Sequence, residues 1–345
     1  MRRPGLALGL LLGTALDALL GDPARGHPVA LFGTAAARAE ERVWADSRPR
    51  GAAFVLLTTG PIVVASAAIQ RYLRRPATAP AQVATVPTAM RAVMAEATMA
   101  VVTAAATWTV LGGASLAAEA AEIARLLETG DLEAARRRLP ALCGRDPAGL
   151  DGTALARAVV ESVAENTCDA VVAPLSWGAA LGLPGLVGHR AVNTLDAMVG
   201  HHSPRYERFG WAAARLDDVA AFVPARLTAL LAILLGPAVG GSARRGLRVL
   251  RRDGGKHPSP NAGRSEAAFA GVLGVQLGGV NVYGGRAESR GLLGDGPPPG
   301  PRDIHRAVAL SRLTGTATAM LAAGVAAAFP GAAPARARAG GGDGQ

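Results

Sequence analysis

The sequence predicts an all-α fold, a multi-pass integral membrane bundle of helices joined by polar connecting loops. Half of the 345 residues are hydrophobic, 18% are charged and 4% are aromatic. Seven windows carry few or no charges, and most reach the length of about 20 apolar residues that crosses the hydrocarbon core of a bilayer. A buried helical core in an Ala-rich soluble protein is the competing interpretation, and so many windows in one chain argue against it.

The predicted spans follow one another along the chain. Only Asp17 interrupts the first window, 6–20, which leads directly into the polar sequence GDPARGHP. We expect this segment to be retained, because it lacks the small-residue cleavage site of a secretion signal. The other windows are 51–70, 97–118, 170–188, 227–243, 267–285 and 313–335.

Polar segments separate these windows. In 119–138, Ala, Leu and Ile recur at helical spacing with acids and arginines between them, which predicts an amphipathic helix on the surface. A polar connection is expected at 21–50 and a loop at 71–87, the segment 140–151 breaks the amphipathic helix, and 284–302 is rich in glycine and proline. The economical organisation is one membrane-embedded domain, 1–333, with a disordered low-complexity tail, 334–345.

The formal net charge of +10 favours anionic partners. Nucleic acid is not among them, because the arginine groups are not interleaved with aromatic residues and lysine is almost absent. Lipid headgroups and a phosphate-bearing substrate fit the charge better. Arginine-rich segments lie on both sides of several spans and leave the membrane orientation open. Cys143 and Cys168 have no disulfide or metal-site spacing.

A first group of candidate functional residues lies on one helix face. Arg157, Glu161, Glu165 and Asp169 recur every four residues, and Asn166 stands beside them. Three carboxylates on one face outline a metal or cation site, while the plain alternative is a salt-bridged surface helix. The apolar run that follows Asp169 favours function, because charge beside a membrane segment is costly.

A second group alternates acids with arginines. Its members are Arg190, Asn193, Asp196, Arg215, Asp217, Asp218 and Arg226. Carboxylates suit magnesium, which bridges phosphate oxygens, and arginine forks bind phosphate, so the pattern fits a magnesium-nucleotide site. Mutual neutralisation of buried charges is the alternative.

Two proline-flanked loops add further candidates. GDPARGHP contains Asp22 and His27, and KHPSPNAG contains Lys256, His257, Ser259 and Asn261. The glycine-rich stretch 271–285 carries Gln276, Asn281 and Tyr283, but the sequence has no GxxxxGK[ST] phosphate loop. Its glycines are also consistent with close helix packing.

These motifs together resemble one known family. The ordered series is GDPARGHPVALFG, GRDPAGL, VVESVAENTCDAVVAPLSWGAALGLPG, RAVNTLDAMVGHHSPRYERFGWAAARLDDVAAFVPARL, HPSPNAGRSEAAFAGVLGVQLGGVNVYGG and a late GDG. It is similar to the CobD/CbiB family of cobalamin biosynthesis over nearly the whole chain. The resemblance implies a multi-pass enzyme of the cell membrane, adenosylcobinamide-phosphate synthase.

That activity joins (R)-1-aminopropan-2-ol, or its O-phosphate, to a propionate carboxylate of adenosylcobyric acid. ATP and Mg²⁺ are the expected cosubstrate and cofactor, because a carboxylate must be activated before an amine attacks it. The lipid bilayer is an expected partner, and a homo-oligomer or other membrane-bound cobalamin-assembly enzymes are possible ones.

We assign provisional roles on this basis. The expected metal ligands are Glu161, Glu165, Asp217 and Asp218. The expected substrate- and phosphate-binding residues are Arg145, Asn166, Arg190, Asn193, Arg215, Arg226, Lys256 and Asn261. The expected catalytic residues are Asp22, His27, Asp169 and Asp196, with Asp22, His27 or Asp196 as the base that deprotonates the attacking ammonium.

Two positions depart from the family pattern, and two other classes of function stay open. Pro147 follows GRD in place of Thr, and Ala221 follows LDDVA in place of Asn. A transporter would also place charges between spans, but it should show an internal repeat, which the sequence lacks. An AmpE-like non-catalytic membrane regulator could keep the fold, although the retained acids argue against it.

Overall fold

A computed structural model of the chain describes residues 3–23, 26–74, 87–201, 203–283 and 286–328. Its α-helices are α1 (Pro4–Leu20), α2 (Pro28–Val43), α3 (Arg48–Leu73), α4 (Thr88–Val110), α5 (Gly113–Glu128), α6 (Leu132–Arg138), α7 (Gly152–Thr167), α8 (Ala173–Leu181), α9 (Leu183–Leu195), α10 (Trp211–Leu235), α11 (Ala243–Asp253), α12 (Ala262–Leu273) and α13 (Pro301–Ala328). Strands β1 (Leu277–Tyr283) and β2 (Arg286–Leu293) form an antiparallel hairpin. Two π-helical turns, Cys168–Val172 and Asp196–Gly200, follow α7 and α9, and 3₁₀ turns occupy Leu139–Ala141 and Gly236–Val239.

The predicted helical membrane bundle is confirmed. Within the described ranges, four helical segments are long and apolar enough to cross a membrane: Arg48–Leu73, Ala89–Glu128, Trp211–Val239 and Pro301–Ala328. Helix α1 is a shorter apolar helix. The tail predicted at 334–345 lies outside the described residues, as does most of the loop predicted at 71–87.

Four of the predicted windows are not continuous α-helices in the described residues. Window 97–118 is divided between α4 and α5, and window 227–243 leaves α10 before α11 begins. Window 170–188 divides between the π turn, α8 and α9, and the chain turns at Gly182, whose φ of +79° is unfavourable for other residues. Window 267–285 leaves α12 at Gly274, with φ +79°, and continues as the hairpin. The hairpin is a local departure from the all-α prediction.

The predicted amphipathic helix over 119–138 is also interrupted. It is divided into α5 and α6 by a turn at Gly130, whose φ is +78°. Asp131 then caps α6 by accepting a hydrogen bond from the backbone N–H of Ala134 at 3.0 Å. An ion pair between Arg138 and Glu119, 2.7 Å long, joins the two helices across the turn.

Apolar exposure divides the structure into two zones. Helices α1, α3, α4, α10 and the second half of α13 expose large apolar side chains, such as Leu57 and Val64 on α3. No large apolar side chain is exposed in 113–168, where α5, α6 and α7 build a core with α11, α12, the hairpin and the start of α13. We call these parts the lipid-facing zone and the compact zone.

A stripe of glycines packs α1 against α4. Gly5, Gly9 and Gly13 recur every four residues and so lie on one face of α1. A Cβ atom at Gly9 would lie 2.4 Å from the Thr103 Cβ and 2.7 Å from the Ala100 carbonyl oxygen. The two helix backbones therefore meet at a distance that only glycine permits, as in small-residue helix contacts of membranes.

Two prolines release carbonyl groups that bind neighbouring segments. Because Pro224 has no N–H, the Ala220 carbonyl one turn earlier is free to accept a hydrogen bond from the Trp177 indole at 2.9 Å. Pro174 similarly frees the Ala170 carbonyl, which accepts the Gly112 N–H at 3.3 Å. This second contact holds the π turn against the α4–α5 junction.

Candidate functional site

The acidic face predicted on α7 is present and extends into the first π turn. Glu161 and Glu165 lie on α7, and Asp169 is the second residue of the turn Cys168–Val172. π turns often occur at functional sites because they reorient side chains within a helix. As whole residues, Glu165 and Asp169 are half-buried.

A second set of carboxylates approaches from α9 and α10. Asn193 donates a hydrogen bond to Asp217 at 3.4 Å, which links the two helices. Arg215 lies 3.5 Å from Asp218 on α10. Asp196 begins the second π turn, and a Cβ atom at Gly200 would lie 1.8 Å from its carboxylate oxygen. Glycine at position 200 therefore makes room for this carboxylate.

The acids from the three helices form one electrostatic group. Burial raises the pKa of Asp169 well above its usual range, and the carboxylates of Asp217 and Glu165 raise it further. Burial likewise raises the pKa of Asp196 to about 6, with Asp218 and Glu165 contributing. We call Glu165, Asp169, Asp196, Asp217 and Asp218 the carboxylate cluster. Crowded acids of this kind need a cation or a proton to balance their charge.

Glu161 and Arg145 are engaged with each other. Their ion pair is buried, with side chains 4% and 3% exposed. Glu161 also accepts the backbone N–H of Gly278 at 2.7 Å. Arg157 donates to the Gly278 carbonyl at 2.6 Å, which attaches the hairpin to α7. Glu161 was expected to hold metal and Arg145 to bind phosphate; the structure places both in a structural ion pair beside the carboxylate cluster.

Asp22, His27 and Arg190 line one surface groove. Its volume is about 600 Å³, and Thr194 and Met198 complete the α9 wall. His27 caps α2, since its Nδ1 accepts the Val29 N–H at 3.2 Å. Arg190 lies within electrostatic range of both Asp22 and Asp169. It therefore connects the groove to the carboxylate cluster.

Some of the remaining predicted site residues lie beside the carboxylate cluster and others lie away from it. Arg226 donates to the Asn261 side chain at 3.0 Å, and Asn261 donates to the Asp218 backbone carbonyl at 2.8 Å. Asn166 donates to the Ser162 carbonyl within α7 at 3.0 Å. Lys256 lies apart, because its ammonium pairs with Asp253 at 2.7 Å.

The two residues that depart from the family pattern occupy different environments. Ala221 is 1% exposed on α10, one turn after Asp217. Pro147 lies in the loop before α7, where its carbonyl accepts the Leu150 N–H at 3.3 Å.

Sequence reasoning missed Glu266 and Arg290 and gave no role to His257. Glu266 is 0% exposed on α12, and the His257 Nε2 lies 3.8 Å from its Oε1. Arg290, on β2, is within electrostatic range of Glu165, Glu266 and His257. The signal for Glu266 was a lone acid at the start of the apolar window 267–285, the same rule that identified the acids of α7.

The donor atoms of these residues determine whether they could hold a magnesium ion. Over the described ranges, no group of three or more His, Cys, Asp or Glu converges closely enough to hold an ion by itself. Magnesium in nucleotide sites is usually held by one or two carboxylates together with waters and substrate phosphates. Asp196 and Asp217 interact electrostatically, and they would need waters and substrate phosphates to complete the coordination of an ion.

Comparison with known proteins gives a consistent result. The profile described as CobD/Cbib protein matches residues 10–311. A "Cobalamin biosynthesis protein CobD" of Mycobacterium tuberculosis (strain CDC 1551 / Oshkosh) is 52% identical over 318 residues, covering 92% of this chain and 94% of the relative. The proteins of the same name from Rhodobacter capsulatus and Chromobacterium violaceum are 39% and 41% identical, over 88% of this chain and 92% and 91% of theirs. No solved structure matches.

Proposed function

This chain belongs to the CobD/CbiB family of cobalamin biosynthesis proteins, and on that premise we propose that it is an ATP-dependent ligase of the cell membrane. The reaction joins the amine of (R)-1-aminopropan-2-ol, or of its O-phosphate, to a propionate carboxylate of adenosylcobyric acid. The product is adenosylcobinamide or its phosphate.

The observation that supports this proposal best is the carboxylate cluster with its arginines. Five acids from α7, α10 and the two π turns gather beside Arg190 and Arg215. Acids alone would repel phosphate, and arginines alone would not hold a metal ion. The two together are what a magnesium-nucleotide substrate requires.

Each part of the site has a task in this reaction. Asp196 and Asp217 would hold Mg²⁺, which supplies charge neutralisation for the phosphates of ATP. Arg190 and Arg215 would bind the phosphates and stabilise the charge that develops during transfer. The corrinoid carboxylate attacks the terminal phosphorus, ADP leaves, and the resulting acyl phosphate is open to attack by the amine.

The groove of Asp22, His27 and Arg190 is a candidate entry for a substrate. It opens at the surface and reaches the cluster through Arg190. The corrin ring is large and amphipathic, so a groove beside lipid-facing helices suits it. Val29, Ala30 and Met198 give that groove an apolar lining.

A complementation assay with product analysis tests the proposal. The chain is expressed in cells that lack their own cobinamide-forming step, the cells are given cobyric acid, and cobinamide and its phosphate are measured by mass spectrometry. We expect product from the wild type and at least about a 100-fold loss with Asp217→Asn, which removes one charge from the cluster.

Asp46→Asn is the matched control. Asp46 is also an ion-paired aspartate, 3.7 Å from Arg208, but its side chain is 58% exposed and lies outside the cluster. It should keep full activity. Absence of product from a well-expressed, membrane-inserted wild type, or full activity of Asp217→Asn, would overturn the proposal and bring a regulatory or transport function forward.

A further inference from the structure

A buried acid and a buried imidazole face each other next to the carboxylate cluster. The Glu266 and His257 side chains are 1% and 4% exposed, and 3.8 Å separates Oε1 from Nε2. Among the described residues, the two carboxylate oxygens of Glu266 have no hydrogen-bond partner, and the Nε2 of His257 has none either. Buried polar atoms without partners are costly, so they indicate a site whose hydrogen bonds are completed by a ligand or a proton.

The proton of His257 has a defined position. The Ser259 N–H donates to His257 Nδ1 at 2.9 Å, so in the neutral ring Nε2 carries the hydrogen. The Glu266 Oε1 lies 3.8 Å from that nitrogen. The backbone of Ser259 therefore orients His257 and leaves its Nε2–H as a donor on the side of Glu266. A separation of 3.8 Å is too long for a hydrogen bond, but such contacts often shorten when substrate is bound.

Glycine makes this arrangement possible. A Cβ atom at Gly263, in the first turn of α12, would lie 2.4 Å from the His257 Cβ. Any larger residue would displace the loop that carries the imidazole. Gly263 thus allows the loop to pack directly on the helix that carries Glu266.

Charged and titratable groups from α7, the loop before it, strand β2 and the His257 loop surround Glu266. They are Glu161 and Glu165 of α7, Arg145 of the preceding loop, Arg290 of β2, and His257. Glu165 and Arg290 are half-buried whereas Glu266 is fully buried, so the partly exposed side of this group is the side of Glu165 and Arg290. A cationic ligand that entered there would meet three carboxylates.

The electrostatics favour proton transfer to Glu266. Burial raises the pKa of Glu266 well above its usual range, with Glu161 and Glu165 contributing and Arg290 and Arg145 opposing. A carboxylate with a raised pKa is a stronger base. Burial lowers the pKa of His257 to about 4, so the ring stays neutral at neutral pH and serves as a hydrogen-bond donor.

We propose that Glu266 is the base that receives a proton from the primary ammonium of the acceptor substrate, and that His257 is a positioning residue for Glu266. This inference rests on the proposed function. Glu266 takes one proton from nitrogen, and the freed electron pair attacks the carbonyl carbon of the acyl phosphate. The C–O bond to phosphate breaks and phosphate leaves with the electron pair of that bond. The nitrogen loses its second proton to the departing phosphate as the amide forms.

A comparison of two nucleophiles distinguishes a catalytic role of Glu266 from a purely structural one. Purified full-length protein is given adenosylcobyric acid, ATP and Mg²⁺, with either the aminopropanol substrate or hydroxylamine, which is largely unprotonated at neutral pH. Glu266→Gln should lower amide formation at least about 100-fold, the size of a lost general base, while hydroxamate formation stays within about twofold. Its remaining amide rate should rise about tenfold per pH unit, because the concentration of free amine does.

The positioning role of His257 has its own test. His257→Ala should lower amide formation by about tenfold, and His257→Gln should restore part of it, because an amide N–H can replace the Nε2 donor. The matched controls are His305→Asn and Glu128→Gln, since this exposed His–Glu pair, 3.1 Å apart, lies far along the chain from the loop and α12. Both controls should react like the wild type with both nucleophiles.

The outcomes are distinguishable. If the wild type forms neither amide nor hydroxamate, the proposed function is wrong and this inference falls with it. If the wild type forms both, and Glu266→Gln keeps its amide rate or loses both products equally, Glu266 is not the base and only the present inference is overturned.

Discussion

At the scale of single residues, the structure separates acids that hold the fold from acids that gather at the site. Asp253 is 0% exposed and fully engaged: Arg252 lies at 2.6 Å, Lys256 at 2.7 Å, and the Gly294 N–H donates to it at 3.0 Å. Contacts within the carboxylate cluster are longer, since Arg215 lies 3.5 Å from Asp218. The difference predicts different responses to substitution.

Asp253→Asn should destabilise the compact zone by about 2 kcal/mol, the cost of leaving buried polar groups without their charged partner. The hydrogen bond from Arg252 holds the pKa of Asp253 well below its usual range, and Lys256 and the Gly294 N–H add to this. A lowered pKa contributes stability above the unfolded-state value of about 4, and this contribution is lost as the pH falls towards the folded-state value.

Thermal melting between about pH 3 and pH 7 measures this effect. The wild type should lose stability on acidification, and Asp253→Asn should show a flatter acid limb. Asp295→Asn is the control, because Asp295 pairs with the same Arg252 at 2.8 Å but is 67% exposed. An exposed pair contributes about 0–1 kcal/mol, so equal effects of the two substitutions would contradict the argument.

At the scale of elements, helix interruptions position the site. The π turns after α7 and α9 bring Asp169 and Asp196 into the carboxylate cluster. Pro224 and Pro174 free the carbonyls that bind Trp177 and Gly112. Irregular backbone at membrane depth is tolerated when neighbouring groups satisfy it, and here they do.

The glycine stripe of α1 gives an element-scale prediction. Gly9→Ala should lower the melting temperature, because its Cβ would lie 2.4 Å from the Thr103 Cβ and the helices would have to separate. Overpacking of this kind costs about 1–3 kcal/mol. The measurement is thermal unfolding in detergent, followed by intrinsic fluorescence.

Gly324→Ala is the control for this substitution. Gly324 also lies within an apolar helix, α13, but a Cβ atom there would have nothing within 4 Å. Its melting temperature should be unchanged or slightly raised, since alanine favours helix more than glycine does. A Gly9→Ala protein as stable as Gly324→Ala would show that α1 and α4 are not in close contact.

At the scale of the whole molecule, the lipid-facing and compact zones predict a pattern of accessibility. In a protein with Cys143 and Cys168 replaced by Ala, single cysteines at Leu57 and Val64 should resist a charged maleimide in intact membranes. Cysteines at Arg137 and Glu288 should react readily, and both from the same side. All four side chains are exposed in the structure, so lipid alone accounts for the difference.

Two results would contradict this arrangement. Rapid labelling at Leu57 or Val64 in intact vesicles would place α3 in water. Reaction of Arg137 and Glu288 from opposite sides would separate the hairpin from α6 and would break the compact zone into two parts. Labelling of urea-denatured protein controls for the chemical reactivity of each cysteine.

The amino-acid sequence was sufficient to predict the helical membrane class and the family, and it singled out most of the acids and arginines of the candidate site. These follow from local properties: the length of apolar runs, and the cost of placing charge beside them. The same rules predicted continuous spans over 170–188 and 267–285, because hydropathy does not register a positive-φ glycine that ends a helix.

The folded arrangement was needed to establish which charges neutralise one another and which stay available. Spacing on α7 placed Glu161, Glu165 and Asp169 on one face, but Arg145, 16 residues before Glu161, pairs with Glu161. The roles proposed for Glu266 and His257 depend on a contact between a loop and a helix. Charge interactions depend on distance and burial in space, and a pattern along the chain gives neither.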